Sequence, residues 1–149
     1  LRRRIRAIEV SESTGVPFSA QNSTDKKEDR FRWVIASTCM ERSMLYDRIN
    51  RRVDRMIRDG LSEEVDRLIK EGVPEGAQSM QAIGYKEMIP YLRGEWSLEK
   101  AADEIRKGTR HYAKRQMTYL KRMDGIRYIR ADDGEAQEEL QKYFTETGE

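Results

Sequence analysis

The run FRWVIAS at 31–37 constrains this chain most. It gathers aromatic and β-branched residues and reads as an interior strand in a sequence otherwise patterned for helices. A strand cannot stand alone, because its backbone N–H and C=O groups need neighbours. Its partner is either IRYIR at 126–130 or a strand outside these 149 residues. Both choices give a mainly α chain with one or two strands.

The rest reads as helices and turns. A helix over 2–12 turns Ile5, Ala7, Ile8 and Val10 inward, and TGVPFSAQNSTDKKEDR at 14–30 is a polar loop. Thr38 and Glu41 form a capping box for a helix over 39–59, with Leu45, Ile49, Val53 and Met56 or Ile57 as its inward stripe. A helix over 62–70 buries Val65, Leu68 and Ile69 and ends at Gly72. QAIGYKEMIPYLRG reads as a helix ending before Gly94, although Gly84 and Pro90 oppose it. Ser97 caps the longest helix, 98–123. Its inner side is Leu98, Ala102, Ile105, Thr109, Tyr112, Gln116, Leu120 and Met123; Lys107, Arg110, His111, Lys114, Thr118 and Lys121 take the other. A short helix covers 135–144, and the seven methionines read as core filler.

Net charge is +2, but it is unevenly placed. Residues 132–149 hold seven acids and one lysine, leaving 28 basic against 20 acidic residues over 1–131. That asymmetry suits a polyanionic partner. HYAKRQMTYLKR at 111–122 contains no acid, and seven Lys or Arg residues lie between Glu104 and Asp124. Such a run has no i,i+4 acids to neutralise it. RNA phosphates would turn its repulsion into binding by counterion release, with Tyr112 and Tyr119 available for stacking. A solvated stripe is the other reading. Arg42, a turn past the strand's C-terminal end, either grips a phosphate with its planar fork or pairs with Glu41 or Asp47. Arg2, Arg3, Arg4 and Arg6 form a second basic cluster, either site or ordinary surface.

Other chemistries are thin. The single Cys39 excludes an internal disulfide framework and reads as a buried spacer; it points to a reducing compartment. His111, the one histidine, has no neighbouring ligand types for zinc and faces solvent or RNA, so no metal site is assigned. GxGxxG and Walker loops are missing. No apolar run reaches membrane-spanning length, so no membrane partner is expected and the cytoplasm is the default. LRRRIRAIEV opens in helical periodicity without a methionine, so the start reads as cut from a longer polypeptide.

Three stretches carry a resemblance: RRRIRAIEV (2–10), MERSMLYDRINRRVDRMIRDGL (40–61) with QAIGYKEM (81–88), and TRHYAKRQMTYLKR (109–122). In content and order they resemble the C-terminal half of the bacterial tRNA dimethylallyltransferases, the tRNA isopentenyltransferase family. The resemblance covers almost the whole chain, weakest over 11–30 and the acidic tail. It implies the C-terminal portion of an α/β P-loop NTPase-like fold, lacking the N-terminal P-loop part. On that resemblance 1–13 is the end of a helical anticodon-facing insertion, 14–30 a loop, 31–131 the strand and helices of the transferase core, and 132–149 an acidic tail with a short helix.

The resemblance implies transfer of a dimethylallyl group from dimethylallyl diphosphate to N6 of the adenosine next to the anticodon, with Mg²⁺ whose ligands lie outside this chain. The implied partners are a tRNA anticodon stem-loop, dimethylallyl diphosphate and the P-loop portion of the same protein. Arg42 matches the catalytic arginine that reaches toward the diphosphate. Gln81, Ala82, Ile83, Gly84, Tyr85 and Lys86 match one segment of tRNA contact. Lys114, Arg115, Gln116, Met117, Thr118, Tyr119, Leu120 and Lys121 match the second, Tyr119 standing where many relatives carry tryptophan. Arg3, Arg4 and Arg6 match a helix leading out of the insertion; with Arg110 they are RNA-contacting or structural. The P-loop and the general base have no match, so this chain alone is expected to be inactive. The alternative is a stand-alone helical RNA-binding module without catalysis.

Overall fold

The computed structural model describes residues 2–21, 33–132 and 134–147. The chain divides into two compact units, residues 1–33 and 34–149. In the first, α1 (Arg2–Thr14) is followed by the single-turn α2 (Phe18–Gln21), which falls inside the stretch read as loop. Ile5 and Ile8, expected to face inward, are exposed. Among the described residues of this unit α1 has only the four-residue α2 to pack against, too little surface to cover both.

The second unit contains β1 (Ile35–Cys39), α3 (Arg42–Arg58), α4 (Leu61–Lys70), α5 (Tyr85–Leu92), α6 (Leu98–Leu120), β2 (Ile126–Arg130) and α7 (Ala136–Thr147). β1 pairs with IRYIR, in parallel, from Ile35 opposite Ile126 to Cys39 opposite Arg130. Parallel pairing needs a long crossover, which the helices α3 to α6 provide. The strand starts four residues later than FRWVIAS suggests; Phe31 and Arg32 lie outside the described residues. Thr38 therefore belongs to the ladder and does not cap α3. Glu41 does: its carboxylate accepts from the N–H groups of Ser43 and Met44 at 2.6 and 3.2 Å. The Ser43 hydroxyl also donates to it, and this bond foremost, with those of the N–H groups, lowers its pKa from the usual carboxylate value.

The core joins Val53 of α3, Leu61 and Val65 of α4, Met80, Met88 and Ile89, and Ala101, Ala102 and Ile105 of α6. Met80 and Met88 are fully buried as expected of filler, whereas Met44 is exposed. QAIGYKEMIPYLRG is not one helix. Ser79–Gln81 make a 3-10 turn, the chain reverses at Gly84 with φ 108°, and α5 starts at Tyr85 and carries Pro90 inside it. Only glycine holds that φ without strain. On α6, Tyr112 and Gln116 are exposed, contrary to the expected stripe, and Ala101, Ala113 and Met117 are turned inward or half-buried instead. The residues α6 buries are Ala101, Ala102 and Ile105, of which Ala102 and Ile105 lie on the expected stripe. Among the described residues no helix is long and apolar enough to cross a membrane.

Candidate functional site

A groove of about 1030 Å³ lies at the C-terminal ends of β1 and β2, between α3 and α6. Cys39, Met40 and Ala131 mark the strand ends. Parallel sheets place ligands at this edge because the following helix presents free N–H groups there. Leu45, Ile49, Ala113, Met117 and Leu120 give the groove an apolar lining. Five arginines of α3, at 42, 48, 51, 52 and 55, and Lys114 and Lys121 of α6 supply its polar edge. Among the described residues no carboxylate lines it. Seven cations around one cavity without a counter-charge create a positive potential suited to phosphates.

Arg42 is held by its own helix. Its Nε donates to the Tyr46 hydroxyl at 3.0 Å, and its guanidinium lies 5.1 Å from the centre of that ring. Arg110 of α6 lies 5.3 Å from the same ring and donates to Asn50 Oδ1 at 2.6 Å. Tyr46 thus ties α3 to α6 and keeps one guanidinium at the mouth through cation–π attraction. Neither Glu41 nor Asp47, the alternative partners expected of Arg42, pairs with it; Glu41 is occupied with the helix cap.

The acid-free run does not stay together. Arg106 is bonded to Asp54 and Asp103, and Lys107 to Glu104 at 3.4 Å, so acids from the preceding turn and from α3 neutralise its start. Asp54 above all, opposed by burial, raises the Arg106 pKa. Arg110 is half-buried against α3, while Lys114, Gln116, Met117, Leu120 and Lys121 reach the groove. Arg115, Thr118 and Tyr119 are exposed elsewhere on α6, Arg115 lying over Tyr112. His111 is exposed, and Cys39 is half-buried at the strand end. Of the tail's acids, Asp132 pairs with Arg130, Glu139 with Arg127 and Glu146 with Lys142, and none of the three lines the groove.

Gln81 to Lys86 form a separate surface. Gln81, Ala82 and Lys86 are exposed; Ile83 and Gly84 turn inward, and Tyr85 donates to Glu64 at 2.6 Å. Glu87, a buried acid, accepts from the Gly84 N–H at 2.8 Å and fixes the turn. Arg4 and Arg6 are exposed on α1, Arg6 pairing with Glu9 at 3.5 Å; the Arg3 side chain lies outside the described residues. Sequence reasoning overlooked Arg48, Arg51, Arg52 and Arg55. Their i, i+3, i+4, i+7 spacing was a usable signal, hidden by the flanking Asp47 and the interleaved Asp54. Among the described residues no cluster of three His, Cys, Asp or Glu side chains could hold a metal ion. With no carboxylate among the described residues of the groove, these side chains do not fit Mg²⁺.

The IPP transferase family model matches residues 1–123. A tRNA dimethylallyltransferase of Caldanaerobacter subterraneus is 46% identical over 149 residues, covering 98% of this chain and 47% of the relative. One from Latilactobacillus sakei is 43% identical, with 96% and 47% covered. Among solved structures, the full-length tRNA isopentenylpyrophosphate transferase of Bacillus halodurans superposes with a TM-score of 0.72 at 37% identity, covering 97% of this chain and 44% of that one. The tRNA delta(2)-isopentenylpyrophosphate transferase of Staphylococcus epidermidis gives 0.74 at 35%, covering 99% and 48%. The chain spans about half the length of the curated relatives it matches.

Proposed function

The chain belongs to the IPP transferase family, and from that premise we propose that it is the C-terminal part of a tRNA dimethylallyltransferase. In this reading residues 31–131 are the C-terminal portion of a P-loop NTPase-like core. The whole enzyme moves a dimethylallyl group from its diphosphate to N6 of the adenosine beside the anticodon. This portion supplies tRNA contacts and the diphosphate-side Arg42, and the P-loop portion supplies the proton acceptor.

One observation supports the reading most: the groove at the strand ends combines an apolar lining with a cationic edge and, among the described residues, has no carboxylate. A prenyl diphosphate is apolar at one end and multiply anionic at the other. Leu45, Ile49 and Met117 suit the five-carbon chain, and Arg42 suits the diphosphate, whose charge grows as the allylic C–O bond breaks. Lys114 and Lys121 on the same rim, and Gln81 and Lys86 on the separate turn before α5, suit RNA. Their contacts would offset the cost of taking the adenine out of its stack, roughly a few kcal/mol.

Binding of an anticodon stem-loop to the 149-residue chain, titrated against salt, tests the reading. Replacing Lys114 and Arg115 together by Ala removes two cations. At about 0.7 of slope per phosphate, that flattens log K against log salt by about 1.4 and weakens binding about tenfold near 0.15 M. Affinity that ignores salt, or that these changes leave untouched, would remove the RNA half of the proposal. With dimethylallyl diphosphate, Mg²⁺ and tRNA, the chain alone is expected to give no transfer; turnover would overturn the assignment of the proton acceptor to the other portion. A non-catalytic RNA-binding module draws on one fact, that β1 finds its partner within the chain. Restored transfer on adding a P-loop portion from a relative would refute it.

A further inference from the structure

We propose that Glu87 is a positioning residue for RNA: it meets no nucleotide itself and sets the turn that holds Gln81 and Lys86 outward as the contacts of the 81–86 segment. The inference rests on the RNA reading above and says which residues of that segment meet RNA and what aims them.

Four observations carry it. First, the segment divides by exposure: Gln81, Ala82 and Lys86 are exposed, Ile83 and Tyr85 are half-buried, and Gly84 is buried. The inner three are anchors. Ile83 Cγ2 and Cδ1 lie against the bare backbone of α6 at Gly108, 3.6 and 3.9 Å from where a Cβ would stand, and Tyr85 is tied to Glu64 of α4. Second, the reversal between the exposed ends needs Gly84 at φ 108°, and the acceptor for its N–H is Glu87 Oε2, three residues on, in the manner of a helix cap. Third, the other oxygen, Oε1, lies 3.6 Å from Lys86 Nζ, whose side chain stays 46% exposed. One carboxylate thus fixes the backbone between the contacts and the direction of the cation. At the other end Gln81 donates from Nε2 to the Glu75 carbonyl at 3.1 Å, which orients its amide. Fourth, Glu87 is the one buried charged side chain among the described residues. Burial penalises a charge without full pairing, and one N–H with one half-exposed ammonium returns little beyond the shape of this turn.

The test measures binding of the anticodon stem-loop to the 149-residue chain carrying Glu87→Ala or Glu87→Gln. Removing an acid makes the protein more positive, so by charge alone both changes raise affinity for RNA. Positioning predicts that they differ. Glu87→Ala releases the turn: loss of the Lys86 contact flattens the salt slope by about 0.7 and weakens binding about fourfold near 0.15 M. Loss of the Gln81 contact weakens it about threefold more. Glu87→Gln keeps an oxygen toward Gly84 and is expected to stay within about twofold of wild type. In a chain already carrying Gln81→Ala and Lys86→Ala, Glu87→Ala has no further effect, whereas a general weakening of the fold lowers affinity there as well. An alanine variant that binds as tightly as wild type, or that weakens the doubly changed chain just as much, overturns the inference. So does wild-type affinity in the Gln81→Ala, Lys86→Ala chain, an outcome that leaves the α6 contacts to be decided by Lys114→Ala with Arg115→Ala. If the wild-type chain shows no salt-dependent affinity, the RNA reading and this inference fall together. Urea unfolding checks that each variant is folded. Should Glu87→Ala unfold, Glu87→Asp keeps the charge, stops one methylene short of the Gly84 N–H, and is expected to show the same slope loss of about 0.7.

Discussion

Glu87 is a sensitive place to test how the turn before α5 is held. It is 6% exposed and accepts a 2.8 Å hydrogen bond from the Gly84 N–H, at a glycine whose φ of 108° leaves that group no helical partner. Lys86 lies 3.6 Å from the other carboxylate oxygen but is half exposed, so that pair adds well under about 1 kcal/mol. A hydrogen bond to a charged acceptor contributes about 1.5–3 kcal/mol, and a buried methylene about 0.8. Relief of carboxylate burial offsets part of this, so Glu87→Ala is expected to cost about 2–3 kcal/mol. Glu87→Gln keeps an oxygen in place and loses only the charge, for about 1 kcal/mol. Urea unfolding reads both: with m of about 1–3 kcal/mol/M, the alanine midpoint falls by about 1 M or more, at unchanged m. The reasoning is refuted if Gln costs as much as Ala, which would make charge and not hydrogen bonding the anchor. It is equally refuted if Ala lies within about 0.5 kcal/mol of wild type, the range of an ordinary surface change.

Two further outcomes follow from the same region. The Tyr85 hydroxyl donates to Glu64, which raises its pKa above the usual 10, with burial adding in the same direction. A raised folded pKa means a contribution fully present below pH 10 and lost as pH climbs through the folded value. Thermal melts from pH 8 to 11 should therefore show wild type converging on Tyr85→Phe at the alkaline end, and parallel curves would contradict it. Gly108 sits inside α6, where an added Cβ would lie 3.6 Å from Ile83 Cγ2 and 3.8 Å from Glu87 Oε1, ordinary contact distances. Gly108→Ala should then raise stability by up to about 1 kcal/mol through helix propensity; a loss of that size in urea unfolding would show that the interface with α5 cannot yield.

Helices with one strong apolar stripe were legible from residues alone: Ile49 and Val53 of α3 and Val65 of α4 are buried where their period puts them. The pairing of β1 with β2 was one of two options open in the sequence, and only coordinates choose between them. Failures fall where size outweighs hydrophobicity. α6 buries Ala102 and Ile105 as expected, but it also meets its neighbours through Ala101 and Gly108, residues a hydrophobic wheel ranks low, whereas Tyr112 was assigned inward and is exposed. The Gly84 turn was missed because a helical pattern runs through it, and its cause is one buried carboxylate that no periodicity marks.

The site was legible in part, for a geometric reason. A contiguous acid-free run becomes a charged surface only if its members share a face, and a helix at about 100° per residue spreads them around its whole circumference. The run on α6 is divided in this way: Arg106 and Lys107 meet acids, Arg110 turns to Tyr46, and Lys114 and Lys121 enter the groove. The arginines of α3 show the converse. They are interrupted in sequence by Asp47 and Asp54, yet Arg48, Arg52 and Arg55 line one cavity with no carboxylate among its described residues, while Asp54 bonds to Arg106. What bears on anion binding is thus the charge within reach of one cavity, and α3 and α6, some sixty residues apart in the chain as Asn50 is from Arg110, contribute to it jointly. On this argument a change on either helix should lower the salt slope according to the cations it removes from the groove. The number of basic residues in its sequence run should not predict the effect.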